Sequence, residues 1–125
     1  MTNYPLGDFL IRLKNASLAR KREVIVVKSK IVLSLAEKLK QLGFLSEVDK
    51  KDGFLEVKLT YQNKEPVLAD VKLVSKPGLR VYMSADDLVK EKGPYILIIS
   101  TSKGLMSGAE AIKKRLGGEV IARIL

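Results

Sequence analysis

The sequence predicts an α/β (α+β) protein, in which short helices and short strands build small sheets. Apolar residues recur at helical spacing in two segments and alternate at strand spacing in several others. The chain has 125 residues, of which 46% are hydrophobic and 30% charged, as is ordinary for a soluble globular protein. This length suits one domain or two small domains packed together.

The first part of the chain is predicted to contain two helices separated by a strand. The first helix begins near Pro5, a residue favoured in a first turn, and its apolar stripe comprises Leu6, Phe9, Leu10 and Leu13. Because Glu23–Val27 is mostly apolar, we expect a strand buried on both faces. Ser29 is the predicted N-cap of the second helix, and Gly43 is its stop. The expected stripe of that helix comprises Ile31, Leu35, Leu39 and Leu42.

A hairpin and a polar segment are predicted to end the first domain. Asp52-Gly53 is a strong tight-turn signal after a strand that begins at Phe44. The returning strand alternates, with one face formed by Leu55, Val57, Leu59 and Tyr61. The polar segment at 62–66 ends in a proline, so we predict an N-terminal domain of residues 1–62 and a C-terminal domain of residues 66–125.

The second part is predicted to contain mainly strands, with one short helix. The expected order is an alternating strand over 67–73, a turn at 76–78, a brief strand over 80–82, a charged connection to Pro94, an apolar strand over 95–99 and a last strand from Val120. The short helix begins with the capping-box pattern of Ser107 and Glu110, and Gly117 is predicted to end it.

The net charge indicates a polyanionic partner. Lys and Arg total 23 against 14 acids, which gives +9 with no histidine. The excess is spread along the chain, with 12 basic and 7 acidic residues up to Gln62 and 11 and 7 beyond it. A folded basic surface suits nucleic acid, because neutralising phosphates releases condensed counterions. The alternative is that the surplus lysine only keeps the protein soluble.

The amino acids that the chain lacks exclude several kinds of site. It contains no cysteine, which excludes disulfides, thiolate zinc sites and cysteine nucleophiles. With no histidine either, a metal site would need carboxylates and carbonyls alone, so we predict no metal and no cofactor. Neither a signal peptide nor an apolar run of membrane-spanning length is apparent, and we therefore expect a cytoplasmic protein without a membrane partner.

The most informative segment is Ser100-Thr101-Ser102-Lys103-Gly104, expected as a loop between a buried strand and a helix. Each hydroxyl both donates and accepts, so it can pair with a ribose 2′-hydroxyl or with base edges in the RNA minor groove. Lys103 suits a phosphate, and the helix start that follows also favours anions. The alternative is that these hydroxyls bond the turn backbone and cap the helix.

An enzymatic interpretation of this segment has little support. Ser100 to Lys103 fits S-x-x-K, the nucleophile motif of penicillin-binding proteins and class A β-lactamases. That chemistry needs serine and lysine one helical turn apart, whereas this motif follows a strand. The companion motifs S-D-N and K-T-G are absent, and so are the nucleotide-binding glycine motifs. We therefore predict that the protein is not an enzyme and has no small-molecule substrate.

The chain resembles the bacterial small-subunit ribosomal protein eight family. The matching segments are Ser100 to Ser107, Leu116 to Val120, Ser75 to Tyr82, Pro5 to Asn15, and Ser29-Lys30, so the resemblance extends over nearly the whole length. Three positions depart from the family: Tyr4 replaces a common aspartate, Gly108 replaces an acid, and Leu125 stands where an aromatic is frequent. None of the three lies in the hydroxyl segment.

The resemblance implies two small packed domains, each a short mixed sheet with one or two helices. Family members bind an irregular helix in the central domain of small-subunit ribosomal RNA early in assembly, beside neighbouring ribosomal proteins in the cytoplasmic small subunit. Many also repress their own operon's messenger RNA. The residues to which this RNA-binding role carries over are Ser100, Thr101, Ser102, Lys103, Gly104, Tyr82, Gly118 and Glu119, with Arg12, Lys14, Lys28, Ser29 and Lys30 in the N-terminal domain.

Other roles for these residues stay open from the sequence. Tyr82 also suits an amphipathic core position, Glu119 an exposed strand charge, and the five N-terminal residues solvated charges and a helix cap. Gly118 is expected to permit close backbone approach, and Glu119 to orient the loop or accept from RNA donors. Two other functions are a regulatory messenger-RNA-binding protein and a basic protein–protein scaffold outside the ribosome.

Overall fold

A computed structural model describes residues 4–125 and divides the chain into two compact units. One unit is Pro5–Asp70, and the other is Val71–Leu125 together with Tyr4. Both mix helices with antiparallel strands, which confirms the predicted α/β class. The polar segment at 62–66 lies inside the first unit. Residues 1–3 of the expected N-terminal domain lie outside the described residues, and the two-domain division at 62–66 stays a prediction.

The N-terminal unit contains two helices and a three-stranded sheet. Its elements are α1 (Pro5–Leu18), β1 (Glu23–Val27), α2 (Lys30–Gln41), β2 (Leu45–Lys50) and β3 (Phe54–Leu59). The strand order is β1-β3-β2, and both pairings are antiparallel. Helix α1 packs against α2 and β1, and α2 packs against β2. The apolar stripe predicted for α1 is buried.

Helix α2 begins as predicted but presents a slightly different face. The Ser29 hydroxyl accepts from the Val32 N–H at 3.3 Å, which confirms the N-cap. The buried residues are Val32, Leu35, Ala36 and Leu39, whereas Ile31 is 46% exposed. Ile31 lies at the edge of the helix face that these four residues form, where the side chain reaches solvent. The prediction that Ile31 is buried is therefore wrong. Gly43, at φ +92°, follows the helix and ends it.

Strand β1 has one buried face, not two as predicted. Val24 and Val26 are buried, whereas Ile25 is 53% and Val27 is 80% exposed. The reason is that β1 is the edge strand of an antiparallel sheet, and such sheets commonly leave one face to solvent. In this strand, a high content of apolar residues therefore does not mean that both faces are buried.

Two hairpins complete the N-terminal unit. The predicted turn between β2 and β3 is present, with Gly53 at φ +84°. A second, shorter hairpin pairs β4 (Tyr61–Gln62) with β5 (Glu65–Pro66), across Asn63 and Lys64. Tyr61 therefore belongs to this hairpin and not to β3, to which the alternation assigned it.

The C-terminal unit contains five strands and two short helices. In chain order they are β6 (Val71–Leu73), β7 (Tyr82–Met83), α3 (Ala85–Lys90), β8 (Ile96–Thr101), β9 (Gly104–Ser107), α4 (Gly108–Lys113) and β10 (Gly118–Ile124). Strand β10 pairs with β8 along one edge and with β6 and β7 along the other, and β9 lies outside β8. A core of Leu88, Leu97, Ile99, Met106, Ala111 and Val120 fills the space between the sheet and the two helices.

Two elements of this unit were not predicted. Helix α3 lies in the segment expected to be a charged connection, and it begins with a capping box between Ser84 and Asp87. The Asp87 N–H donates to Ser84 Oγ at 3.1 Å, and the Ser84 N–H donates to Asp87 Oδ2 at 3.2 Å. This S-x-x-D pattern was the available signal. Strand β9 lies in the segment expected to be a loop.

Helix α4 does not end at Gly117 as predicted. Its C-cap is Lys114, and Arg115 follows with the left-handed φ of 55°. Gly117 is needed for a different reason, because a Cβ there would lie 2.6 Å from the Met83 carbonyl oxygen and 2.8 Å from the Ser84 Cα. The glycine thus permits close packing of two backbone segments.

We expect Gly117→Ala to lower the free energy of unfolding by about 1–3 kcal/mol, because backbone must shift to admit the methyl group. Arg115→Gly is the matched control, and it should leave stability unchanged or slightly raised, since glycine adopts a left-handed φ without strain. Urea denaturation of the two variants checks both. Equal stability of Gly117→Ala and the wild type would contradict the close approach.

Candidate nucleic-acid interface

The hydroxyl segment forms a β-hairpin, not the loop that the sequence predicted. Thr101 in β8 pairs with Gly104 in β9, which leaves Ser102 and Lys103 as a two-residue tip. The Thr101 hydroxyl accepts from the Lys103 N–H at 3.1 Å and donates to the Gly104 carbonyl at 2.9 Å. Gly104 has φ +109°, which favours glycine. Thr101 and Gly104 therefore hold the shape of the tip.

Ser102 and Lys103 carry the exposed side chains of this hairpin. Within residues 4–125, neither side chain has a hydrogen-bond or ion-pair partner. The four residues of β9 separate Lys103 from α4, so the expected contribution of the helix start beside Lys103 is not present. The tip thus offers one hydroxyl and one ammonium group to a ligand.

Three more candidates form a row across the sheet, on strands β7, β10 and β8. Glu119 lies directly opposite Tyr82 on one side and Ser100 on the other. Side chains of directly opposed residues project from the same face. The neighbours Met83, Val120 and Ile99 belong to the core or pack against it, so the row faces away from α3 and α4. We call Tyr82, Glu119 and Ser100 the sheet row.

The exposure of the sheet row decides between the roles left open for Tyr82. Tyr82 is 69% exposed, so it is not a core residue. Ser100 is half-buried and is followed directly by the hairpin residues Thr101 and Ser102. The row and the tip therefore form one continuous surface at this end of the sheet.

The Glu119 carboxylate is held by Arg80, a residue that the sequence reasoning missed. Arg80 Nη1 lies 3.2 Å from Glu119 Oε2, and the Glu119 side chain is only 19% exposed. The Arg80 guanidinium also lies 5.2 Å from the centroid of the Tyr4 ring. Glu119 is thus a partly buried, paired carboxylate and not a simple exposed strand charge. The strand spacing of Arg80 from Tyr82 was the signal available for it.

Tyr4, the first residue that the structure describes, lies beside the Arg80–Glu119 ion pair. Burial raises the pKa of the Tyr4 hydroxyl, the Glu119 carboxylate raises it further, and the Arg80 guanidinium opposes both. The phenol therefore stays neutral, and the charges of Arg80 and Glu119 balance each other beside it.

Gly118 has an intramolecular role in the structure. A Cβ at this position would collide with the Ser100 carbonyl and would lie 3.2 Å from Ile99 Cγ2. The missing side chain lets β10 approach β8 and so brings Glu119 beside Ser100. A direct approach of Gly118 to RNA stays a prediction.

In the N-terminal unit, three of the five candidates already have partners. Arg12 Nη1 donates to the Ile25 carbonyl at 3.0 Å, Lys14 Nζ lies 3.1 Å from Asp70 Oδ1, and Ser29 caps α2. Lys28 and Lys30 are exposed, and no acid in the described part of the chain pairs with either. These two lysines are the N-terminal candidates that remain available to a ligand.

A family model described as "Ribosomal protein S8" matches residues 4–125. The chain belongs to the ribosomal protein S8 family. It is 46% identical to the small ribosomal subunit protein uS8 of Streptococcus uberis, with 96% of each chain covered. It is 40% identical to that of Nitratidesulfovibrio vulgaris strain Miyazaki F and 43% identical to that of a Sulfurihydrogenibium species, each with 99% of both chains covered.

Membership of the ribosomal protein S8 family confirms the resemblance found in the sequence. This is a family of ribosomal structural proteins and not of enzymes, so the prediction that the chain is no enzyme is confirmed. Among residues 4–125, no helix is long and apolar enough to cross a membrane. Among the same residues, no three aspartate or glutamate side chains lie close enough together to hold a metal ion.

We expect Thr101→Ala to lower the free energy of unfolding by about 1 kcal/mol, because two hydrogen bonds of the hairpin turn are lost. Thr101→Ser keeps the hydroxyl and should retain most of the stability. Ser102→Ala should leave stability unchanged, since its hydroxyl has no partner in the described residues. Urea denaturation midpoints check the series, and equal midpoints for Thr101→Ala and Ser102→Ala would refute the structural role of Thr101.

Proposed function

We propose that this protein binds an irregular helix in the central domain of small-subunit ribosomal RNA and supports early assembly of the small subunit in the cytoplasm. The observation that carries the proposal is the continuous surface of the Ser102–Lys103 tip and the sheet row, which offers donors, acceptors, a cation and an exposed aromatic ring. Ribosomal RNA is the ligand that membership of the ribosomal protein S8 family favours.

The chemistry of the tip suits an RNA minor groove. The Ser102 hydroxyl can donate to and accept from a ribose 2′-hydroxyl or a base edge, and that groove displays both. Lys103 pairs with a phosphate. Because Thr101 and Gly104 fix the turn, the tip has its conformation before RNA binds. The backbone of the tip therefore loses less conformational entropy on binding.

The sheet row adds recognition that phosphate contacts alone do not supply. The exposed Tyr82 ring can stack on an unpaired base, which an irregular helix provides. The Glu119 carboxylate accepts from base amino or imino groups, while Arg80 neutralises most of its repulsion of nearby phosphates. Ser100 supplies a further hydroxyl beside it. Lys28 and Lys30 extend the phosphate contacts from the N-terminal unit.

We extend the proposal to the operon's messenger RNA and to neighbouring ribosomal proteins. A surface that recognises an irregular helix binds any RNA that folds into the same helix, so repression of the operon needs no second site. The hydroxyls and the stacking ring fit RNA better than an acidic protein, which disfavours a scaffold whose partners are proteins alone.

We expect Ser102→Ala to weaken binding of the cognate rRNA helix by about 1 kcal/mol, or about fivefold in Kd, because one hydrogen-bonding group is lost. Affinity for an unrelated duplex should change little. Ser34→Ala, at an exposed serine of α2, is the matched control and should bind as the wild type. Equal affinity of Ser102→Ala and the wild type would remove the tip from the interface.

A double-mutant cycle tests the pairing of Arg80 with Glu119. In the wild-type background, Arg80→Met leaves the Glu119 carboxylate uncompensated near phosphates, and RNA affinity should fall. In the Glu119→Gln background the same change should cost less, with a difference of about 1 kcal/mol between the two. Filter binding measures all four proteins. Equal losses in both backgrounds would mean that Arg80 contacts RNA directly and does not act through Glu119.

A further inference from the structure

The Arg80 side chain is held between an aromatic ring and a carboxylate. Its guanidinium lies 5.2 Å from the centroid of the Tyr4 ring, and its Nη1 lies 3.2 Å from Glu119 Oε2. An arginine that stacks on an aromatic face keeps the N–H groups at its edge for hydrogen bonds in the guanidinium plane. The ring and the carboxylate therefore contact different parts of one guanidinium, and both contacts form at once.

The ion pair by itself restrains Arg80 weakly. The Arg80 side chain is 43% exposed, and within residues 4–125 one hydrogen bond joins it to Glu119. Exposed ion pairs gain little Coulomb energy in water and lose side-chain entropy when they are held in one geometry. Because a ring against the guanidinium face restricts its rotation, the Tyr4 ring supplies the second restraint that this pair lacks.

The ring of Tyr4, and not its hydroxyl, makes this contact. The hydroxyl oxygen is buried and has no hydrogen-bond partner within residues 4–125. It therefore neither bonds the described fold nor reaches a ligand at the surface. Because a buried hydroxyl without a partner is costly, the fold gives no reason to prefer tyrosine over phenylalanine here. The contact with Arg80 is one that either aromatic residue can make and an aliphatic residue cannot.

A second cluster of the same composition lies on the opposite face of the sheet. The Arg123 guanidinium lies 5.1 Å from the centroid of the Tyr95 ring, and its Nη2 lies 3.4 Å from Glu91 Oε1. Arg123 in β10 is directly opposite Leu97 in β8, which belongs to the core beneath α3 and α4. This second cluster therefore faces the helices, whereas Glu119 and the sheet row face away from them.

We propose that Tyr4 is a positioning residue of the RNA surface, whose ring holds Arg80 against Glu119 and so fixes the carboxylate that the sheet row presents to a base. An acceptor held in one place selects between base edges, because it rewards only the bases that bring a donor to that place. Tyr4 is one of the three positions at which the sequence departs from its family, so the family pattern alone does not predict this role. The inference rests on the proposed function in taking RNA as the ligand.

Leucine and phenylalanine at position 4 test the proposal. Tyr4→Leu keeps an apolar side chain but loses the contact with Arg80, so affinity for a central-domain rRNA fragment should fall by about two- to fivefold, the equivalent of one cation–π contact. Affinity for an unrelated duplex should change little, since that binding depends on phosphates. Tyr4→Phe is the conservative variant that keeps the ring, and it should retain the affinity for the fragment. Filter binding measures each protein against both RNAs.

Two readouts separate positioning from a general loss of structure. The Tyr4 ring should shift the NMR signals of the Arg80 δ-protons upfield, and this shift should persist in Tyr4→Phe and disappear in Tyr4→Leu. In the Arg80→Met background, Tyr4→Leu should have no further effect on RNA affinity, because the residue that it positions is gone. Tyr95→Leu is the matched control. It removes the same kind of contact on the helix side, so it should lower the melting temperature but leave RNA affinity unchanged.

The possible outcomes distinguish this inference from the proposed function. Wild-type affinity of Tyr4→Leu, equal weakening by Tyr4→Leu and Tyr4→Phe, or an undiminished loss in the Arg80→Met background would overturn the positioning role alone. An equal loss of RNA affinity in Tyr95→Leu would do the same. If the wild-type protein bound the central-domain fragment no more tightly than the unrelated duplex, the proposed function would fail as well.

Discussion

Strand β10 pairs with other strands along both of its edges, and the candidate surface depends on how closely its first residues approach β8. Gly118 lies against the Ser100 carbonyl with no room for a side chain. That contact sets the register in which Glu119 faces Ser100 on one side and Tyr82 on the other. The same register turns Val120 towards the core beneath α3 and α4. Packing of the C-terminal unit and composition of the surface therefore follow from one backbone contact.

The candidate residues fall into two groups, according to whether their polar side-chain groups already make hydrogen bonds within the protein. Thr101 holds a turn, Arg12 donates to a strand carbonyl, and Ser29 caps a helix. Ser102 and Lys103 have no such role within the described residues. A buried or bonded hydroxyl stabilises the fold, whereas an exposed unbonded one keeps its full capacity for a ligand. The two kinds stand side by side in one short motif, and the sequence pattern alone does not tell them apart.

Much of the fold could be predicted because local signals agree with it. The apolar stripe of α1, the Ser29 cap and the Asp52-Gly53 turn each depend on neighbouring residues only. Strand β9 was missed because it is only four residues long and begins directly after a two-residue turn, so the hydroxyl motif was interpreted as a loop. The burial of β1 was misjudged because its apolar content does not reveal its place at a sheet edge.

The sequence indicated which residues belong to the candidate site but not how they are arranged in space. The hydroxyl motif and the later glycine pair could be recognised in the sequence. That Tyr82, Glu119 and Ser100 are cross-strand neighbours follows only from the pairing of β7, β8 and β10. Arg80 was missed for the same reason, since its partner Glu119 lies far along the chain. The spacing of Arg80 from Tyr82 pointed to a shared face, but the pairing of either residue with Glu119 follows only from strand register.

The carboxylate of Glu119 has a consequence for selectivity in the proposed RNA complex. A surface made only of cations tolerates many alignments of a phosphate backbone, because every alignment is attractive. Even with its charge offset by Arg80, the Glu119 carboxylate can only accept hydrogen bonds, as a phosphate does, so alignments that bring a phosphate onto the sheet row are disfavoured. Discrimination between RNA sequences then arises partly from the complexes that this side chain forbids.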